Sequence, residues 1–220
     1  MKKIVIALFL PLLVTAFFSG CKKESSLTLH ISELRSEIYF SEDENIKAAY
    51  GFKEEPYVND GKVGKTVCNL TFYISGKDSD AEDRFVFFTY KGEEYKSAFT
   101  LNPVTGTLTA KTEIDNFKEK EFSVLITEGA ERKTLHFKSA LPNDALSVSD
   151  ALAATEKSDP DLIQNYRDEN GDFCAEIYAR IIIKNDEPFW FIGFASGNDR
   201  MKALLVNGIT GKLLAVREVL

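Results

Sequence analysis

Apolar and polar residues alternate along much of the chain after residue 28. In residues 120–127, the side chains of Phe122, Val124 and Ile126 fall on one face of an extended segment. A period of two is typical of half-buried antiparallel strands, because successive side chains of a strand point to opposite sides. The pattern therefore predicts β-structure.

Short strands separated by turn residues are predicted along both halves of the chain. Glycine, proline, asparagine and aspartate supply the breaks between them. The predicted strands are 29–31, 37–40, 66–74, 84–90, 94–101, 106–111, 120–127 and 132–138 in the first half, and 175–184, 188–195, 202–207 and 212–219 in the second. Many short strands at this spacing predict an antiparallel β-sandwich over residues 29–140.

Helical signals occur only after residue 143. Ser147 and Asp150 have the spacing of a capping box, and Asp159 and Pro160 place an N-cap and a first-turn proline before an apolar stretch. These signals predict helices at 147–157 and 162–166.

The change from strands alone to helices and strands places a domain boundary near residues 141–143. A chain of this length fits one large domain or two small ones, and we favour two. The fold class predicted is mainly β, with a β-sandwich at 29–140 followed by a small α+β domain at 144–220.

The first 20 residues have the layout of an export signal. Lys2 and Lys3 precede an apolar run at 4–18, and the small residues Ser19 and Gly20 end it. A membrane-spanning helix needs about 20 apolar residues, so a cleaved signal is favoured over a retained span.

The run Phe18-Ser-Gly-Cys21 resembles the lipobox of bacterial lipoproteins, with Phe18 where leucine is usual. The resemblance implies that Cys21 receives a diacylglyceryl thioether, that residues 1–20 are removed and that the new amino terminus is acylated. Several acyl chains give firm anchoring, since one chain binds a membrane only marginally. We expect a protein of the cell envelope, lipid-anchored on the exported face, with a polar tether at 21–28. The alternative is secretion as a soluble protein with Cys21 free.

The second half resembles the PepSY domain family. A helix of small residues, an aromatic strand containing Trp190 and a closing hairpin around Asn207-Gly-Ile-Thr-Gly211 carry the resemblance over residues 144–220. The family implies a non-catalytic binding or inhibitory module, which in some members acts on a protease.

Residues 99–108 and 122–126 resemble the closing strands of cadherin-like and other immunoglobulin-like sandwiches. The Asp-Arg-Glu motif of cadherin calcium sites does not occur near Asp115. The resemblance therefore implies the sandwich and not a calcium site.

The charge balance argues against nucleic acid as a partner. The chain has 27 basic and 34 acidic residues, and removal of the signal takes away Lys2 and Lys3, leaving 25 basic against 34 acidic residues, or −9. Phosphate binding needs a basic surface. An acidic balance of this size is typical of a well-solvated surface.

The two cysteines outside the lipobox are Cys68 and Cys174. Cys68 alternates with Leu70 and Phe72 on one face of a strand, which favours a small buried residue. The two cysteines fall in different predicted domains, so free thiols are favoured. A disulfide between them remains an alternative, because the sequence does not give their separation in space.

Motifs of common catalytic sites do not occur in the sequence. Only His30 and His136 offer an imidazole, and no zinc, serine-nucleophile or phosphate-loop motif is present. We therefore predict no catalytic residue and no cofactor. A hydrolase that uses two carboxylates stays an alternative, because such a pair is spatial and acids are plentiful.

Two acidic runs, 78–83 and 168–172, are the best candidates for calcium, which prefers several oxygen ligands from a tight loop. Neither has the glycine and glutamate positions of an EF-hand loop. Solvated turns are the favoured interpretation, and no metal site is predicted.

Four aromatic side chains, Phe189, Trp190, Phe191 and Phe194, give one predicted strand apolar residues on both faces. Such a strand is usually central and buried on both sides. The functional alternative is an exposed aromatic binding face.

These observations favour a non-enzymatic, lipid-anchored envelope protein that binds a protein or peptide partner. The first alternative is an inhibitor or regulator of an envelope peptidase, acting through the PepSY-like segment. The second is the carboxylate-dependent hydrolase.

Overall fold

A computed structural model describes residues 26–76, 83–197 and 201–219. Strands contain 56% and helices 11% of these residues, which confirms that the protein is mainly β as predicted. The predicted signal at 1–20, the lipid-anchor residue Cys21 and most of the tether lie outside the described residues.

The elements follow one another in a β-rich order interrupted by two helices. A 3₁₀ helix at Ser26–His30 comes first. The strands are β1 (Ile31–Ser41), β2 (Ile46–Glu54), β3 (Thr66–Ile74), β4 (Arg84–Tyr90), β5 (Glu93–Ala98), β6 (Thr100–Asn102), β7 (Thr107–Glu113), β8 (Glu121–Glu128) and β9 (Glu131–Ser139). After them come α1 (Val148–Ser158), α2 (Pro160–Gln164), β10 (Glu176–Lys184), β11 (Glu187–Ala195), β12 (Met201–Asn207) and β13 (Leu213–Val219).

All thirteen strands belong to one curled sheet. Its longest path runs β13-β12-β11-β10-β1-β2-β3-β7-β6, and β5, β4, β8 and β9 form a second layer that joins the path where β9 pairs with β1. Neighbouring strands are antiparallel except β1 and β10, which are parallel.

The first hydrophobic cluster lies between these two layers. Its fully buried members include Tyr39, Phe72, Leu135 and Phe137. Phe122 stacks on Phe137 with ring centroids 5.3 Å apart, as the alternation in β8 and β9 predicts. Burial of such side chains contributes about 1.5–3 kcal/mol each.

The second hydrophobic cluster lies between the two helices and one face of β10, β11 and β12. The predicted caps are confirmed: the Ser147 side chain accepts from the Asp150 amide at 3.1 Å, and the Asp159 side chain accepts from the Leu162 amide at 3.0 Å. These contacts satisfy amides that have no partner inside the helix.

Strand β1 contributes to both clusters. Ile31 packs in the second cluster and Tyr39 in the first. The two predicted segments are thus joined by one continuous strand, and the domain boundary near residues 141–143 stays a prediction.

The structure corrects the prediction at the start of the chain. The predicted strands 29–31 and 37–40 are one strand, β1, and Leu29 belongs to the preceding 3₁₀ helix. Strand β2 was not among the predicted strands because Ala48 and Ala49 are weak strand formers. Both are nevertheless buried, and their small side chains allow close packing.

One turn design occurs twice. The Asn102 side chain accepts from the amides of Val104 and Thr105. The Gly106 amide donates to the Asn102 carbonyl at 2.9 Å. Asn207 and Gly211 repeat this arrangement, with a corresponding distance of 3.0 Å. Both glycines have positive φ, which non-glycine residues rarely adopt.

Candidate functional site

The four aromatic residues of the predicted binding face divide between two sides of β11. Trp190 and Phe194 are buried in the second cluster. The Trp190 indole donates from Nε1 to the Leu146 carbonyl at 2.9 Å, and Tyr166 stacks on Phe194 at 5.5 Å. These two residues are therefore core residues, and the four do not share one exposed surface.

Phe189 and Phe191 lie on the opposite side of the sheet from the helices and are partly exposed. Residues paired directly across neighbouring strands share a face. Phe189 pairs with Ile182, which is 40% exposed, and Phe191 pairs with Leu205. We name this helix-free side of β10–β13 the outer face.

The outer face continues across β1, β2 and β3. One row of directly paired residues crosses the sheet in the order Ala215, Leu205, Phe191, Arg180, Arg35, Gly51 and Asn69. The row is apolar at the β13 end and becomes charged and polar toward β3. One continuous surface therefore offers apolar contacts at one end and charged or polar contacts at the other.

Arginines occupy the middle of the outer face. The Arg180 guanidinium donates to both oxygens of Glu33, at 3.0 and 3.1 Å, a bidentate geometry that fixes its orientation. Arg35 lies over the Tyr73 ring, 5.9 Å from its centroid. Both arginines are therefore held in place before any partner binds.

A shallow groove runs beside these arginines, with a volume of about 110 Å³. Its charged and polar lining includes Glu33, Arg35, Lys53, Asn69 and Lys111. Gly51 lines the groove without a side chain, and the backbone of β1, which is irregular between Arg35 and Glu37, lies close to it.

The segment 55–65, here called the junction loop, borders the outer face. Tyr57, 42% exposed, lies against Tyr178 of β10 with ring centroids 5.9 Å apart. Burial, then a hydrogen bond with Tyr57 and the nearby charges of Glu176 and Glu33, hold the pKa of Tyr178 well above its usual value. The Tyr178 hydroxyl therefore stays protonated and can act as a hydrogen-bond donor.

A fully buried carboxylate holds the junction loop. Oε1 of Glu176 accepts from the amides of Gly61 at 2.6 Å and Asp60 at 3.2 Å, and Oε2 accepts from the Ser32 hydroxyl. Two backbone amides and one hydroxyl thus compensate a buried carboxylate, as such a group requires.

Two further side chains hold the same loop. Oε1 of the buried Glu54 accepts from the Gly64 amide at 2.6 Å, whereas Oε2 is buried with no partner. His30 Nδ1 lies 2.9 Å from the Gly61 carbonyl, and because a carbonyl only accepts, Nδ1 carries the proton. The loop is anchored at both of its ends.

The two cysteines outside the predicted lipobox are free thiols. Cys174 is exposed and its thiol donates to the Asp172 carbonyl at 3.3 Å. Cys68 is half-buried, and burial is the main cause that raises the pKa of its thiol. Less thiolate forms at Cys68, which disfavours it as a nucleophile.

His136 is exposed beside Thr134 and Lys138, as its strand position predicts, and its Nδ1 lies 2.6 Å from the Ser123 hydroxyl. In the described acidic turn, Asp168 accepts from the amides of Asn170 and Asp172. Residues 77–82, which hold most of the other acidic run, lie outside the described residues. Among those described, no group of three or more His, Cys, Asp or Glu side chains is arranged to hold a metal.

The sequence interpretation missed Glu176, Ser32 and Glu54. One signal was available in the sequence. Glu176 is the first residue of β10 and its neighbours in sequence are apolar, so a carboxylate at this position needs a buried partner. Its partners lie more than a hundred residues earlier in the chain, so spacing could not identify them.

No protein-family model matches the chain, no curated protein is similar to it and no solved structure matches its fold. Within residues 26–76, 83–197 and 201–219, no helix is both long and apolar enough to cross a membrane.

Proposed function

We propose that the chain is a lipid-anchored protein of the cell envelope that binds a protein or peptide partner through its outer face, without catalysing a reaction. In this proposal residues 29–140 act as a β-sandwich domain and residues 144–220 as a PepSY-like α+β domain. The lipid at Cys21 would hold both against the membrane.

The outer face is the observation that carries the proposal. Phe189, Phe191 and Leu205 are partly exposed, and none of them packs with either hydrophobic cluster. Aromatic residues and arginine are enriched in protein interfaces, where they provide a large apolar area and directed hydrogen bonds. Arg180 and Arg35 supply the groups for directed hydrogen bonds.

The partner contact is tested with a photo-crosslinking amino acid placed at Phe191 or Ile182 in intact cells of the producing organism. Both side chains lie on the outer face, so we expect the two positions to capture the same protein. The matched control is Leu101, which is 43% exposed but lies on β6, at the other end of the sheet path.

Capture of the same protein from positions 191 and 182, with little from 101, supports the proposal. Capture of lipid alone, or equal capture from all three positions, contradicts it. The Arg180→Gln variant refines the result, because loss of a central arginine in a real interface reduces the yield at 191.

The anchor has its own test. Replacing Cys21 with serine removes the sulfur that the lipid needs, so we expect the protein to leave the membrane fraction and appear in the soluble fraction. The matched control is Cys174→Ser, which leaves the predicted lipobox intact and should fractionate like the natural chain. If the Cys21→Ser variant stays in the membrane fraction to the same extent as the natural chain, the prediction of a lipid anchor is wrong.

A further inference from the structure

A cavity of about 540 Å³ opens at one end of the first hydrophobic cluster, far in sequence from the outer face of β10–β13. It lies where β2, β3 and β7 of one layer face β4, β8 and β9 of the other. Ile46, Leu108 and Ile126 form an apolar floor, and all three belong to the cluster. Its size is within the range of small-molecule sites, which are mostly apolar with a few polar groups.

Among the described residues, the rim of this strand-end cavity carries three acidic and three basic side chains. Its acids are Asp43, Glu128 and Glu131, and its bases are Arg84, Arg132 and Lys133. A ligand of one sign therefore meets as much repulsion as attraction. A ligand that carries a positive and a negative charge at separate positions can pair with both the acids and the bases.

Arg84 is the buried member of the rim, with a side chain only 9% exposed. Its Nη2 pairs with Glu128, but its Nε is buried with no hydrogen-bond partner. A buried donor without an acceptor costs about 1–3 kcal/mol, so an acceptor from a ligand would be favourable here. A carboxylate is the acceptor best matched to a guanidinium.

Two acids face each other across the same rim. Glu128 and Glu131 are paired directly at the β8–β9 hairpin. Glu128 already pairs with Arg84, which partly relieves the repulsion between the two acids, so Glu131 is the member of the pair that a ligand cation can engage. The third acid, Asp43, is already engaged, because Lys133 lies 2.6 Å from Oδ2 and the Asn45 amide donates to Oδ1 at 3.1 Å.

We propose that the strand-end cavity binds a small zwitterion of the amino-acid or short-peptide class with an apolar side chain. The ammonium group would lie at Glu131, the carboxylate at Arg84, and the apolar part on the floor of the cavity. The inference is independent of the outer face, since none of the residues named for that face lines the cavity.

The test uses leucyl-leucine and two blocked analogues, N-acetyl-leucyl-leucine and leucyl-leucine amide, with the full chain. All three share one apolar body, and each analogue lacks one charge. We expect saturable one-to-one binding of leucyl-leucine in calorimetry and ligand-observed NMR. Each analogue should bind about tenfold more weakly or worse, since a hydrogen bond to a charged group is worth about 1.5–3 kcal/mol.

Two variants locate the site. Glu131→Gln removes the ammonium partner from an exposed position, and Arg84→Lys keeps the charge but removes Nε; each should weaken leucyl-leucine binding by about tenfold. The control Glu121→Gln lies at the opposite end of β8 and should bind like the natural chain.

Tight and selective binding that Glu131→Gln weakens supports the proposal, whether or not Arg84→Lys folds. The proposal is overturned if millimolar leucyl-leucine gives no saturable binding, if the blocked analogues bind equally well, or if Glu131→Gln and Glu121→Gln are indistinguishable. Failure of this test leaves the outer-face crosslinks unaffected, so the two proposals are judged separately.

Discussion

Replacing Gly51 with alanine is expected to lower the free energy of unfolding by about 3 kcal/mol or more, at the upper end of overpacking effects. An added Cβ would overlap the Leu34 carbonyl oxygen and stand only 2.9 Å from the Arg35 Cα. These are backbone atoms, so no side-chain rotation relieves the clash. Strands β1 and β2 would have to separate at the irregular part of β1, where hydrogen bonds hold them together.

Urea and thermal unfolding measure this change. A loss of about 3 kcal/mol corresponds to a melting temperature roughly 6–12 °C lower in a chain of this size. The matched control is Gly197→Ala, because an added Cβ there meets no atom of the described residues within 4 Å. It should stay within about 0.5 kcal/mol of the natural chain. Equal stability of the two variants would show that the close approach of β1 to Gly51 does not exist.

Replacing Glu176 with leucine is expected to destabilise the chain by about 3 kcal/mol and to release the junction loop. Leucine fills a similar volume but leaves the Gly61 and Asp60 amides and the Ser32 hydroxyl without their acceptor. Each orphaned buried donor costs about 1–3 kcal/mol, and water reaching the exposed part of the loop reduces the total. Glu176→Gln should lose less, because its amide oxygen can still accept from Gly61.

Hydrogen exchange distinguishes this effect from a general loss of stability. In Glu176→Leu, the amides of Asp60 and Gly61 should exchange much faster than amides of β3, measured under conditions where the chain remains folded. The matched control is Glu187→Leu, an exposed acid at the start of β11, which should change neither quantity appreciably. Unchanged exchange at Gly61 in Glu176→Leu would contradict the role of this carboxylate.

Much of the secondary structure could be predicted because it depends on neighbouring residues. The alternation in β8 and β9 identifies their buried faces, and the Ser147 and Asp159 caps locate both helix starts. Strand β2 was missed because two of its four buried positions hold alanine, whose side chain carries little strand signal. In that strand the close approach of β1, rather than local preference, determines the residues.

The candidate sites depend on pairings between distant parts of the chain, and periodicity does not contain them. Phe189 and Trp190 are adjacent in sequence and alike in chemistry, yet one is on the outer face and the other is in the core. Alternation predicts that they differ, but the side covered by helices is set by the packing of α1 and α2. The charges of the strand-end cavity likewise come from three strands and one turn, at separate places in the sequence.

The sharing of β1 between the two clusters has a consequence for the order in which the chain can fold. The first half of β1 has its parallel neighbour in β10, where Ile31 pairs with Ile177, and synthesis reaches Ile177 long after Ile31. A parallel pair this distant in sequence closes late and slowly, because loop closure comes before the contact is made. The newly made amino-terminal half therefore carries an unsatisfied strand edge, which is prone to wrong pairing. That edge stays without its partner until β10 has been made.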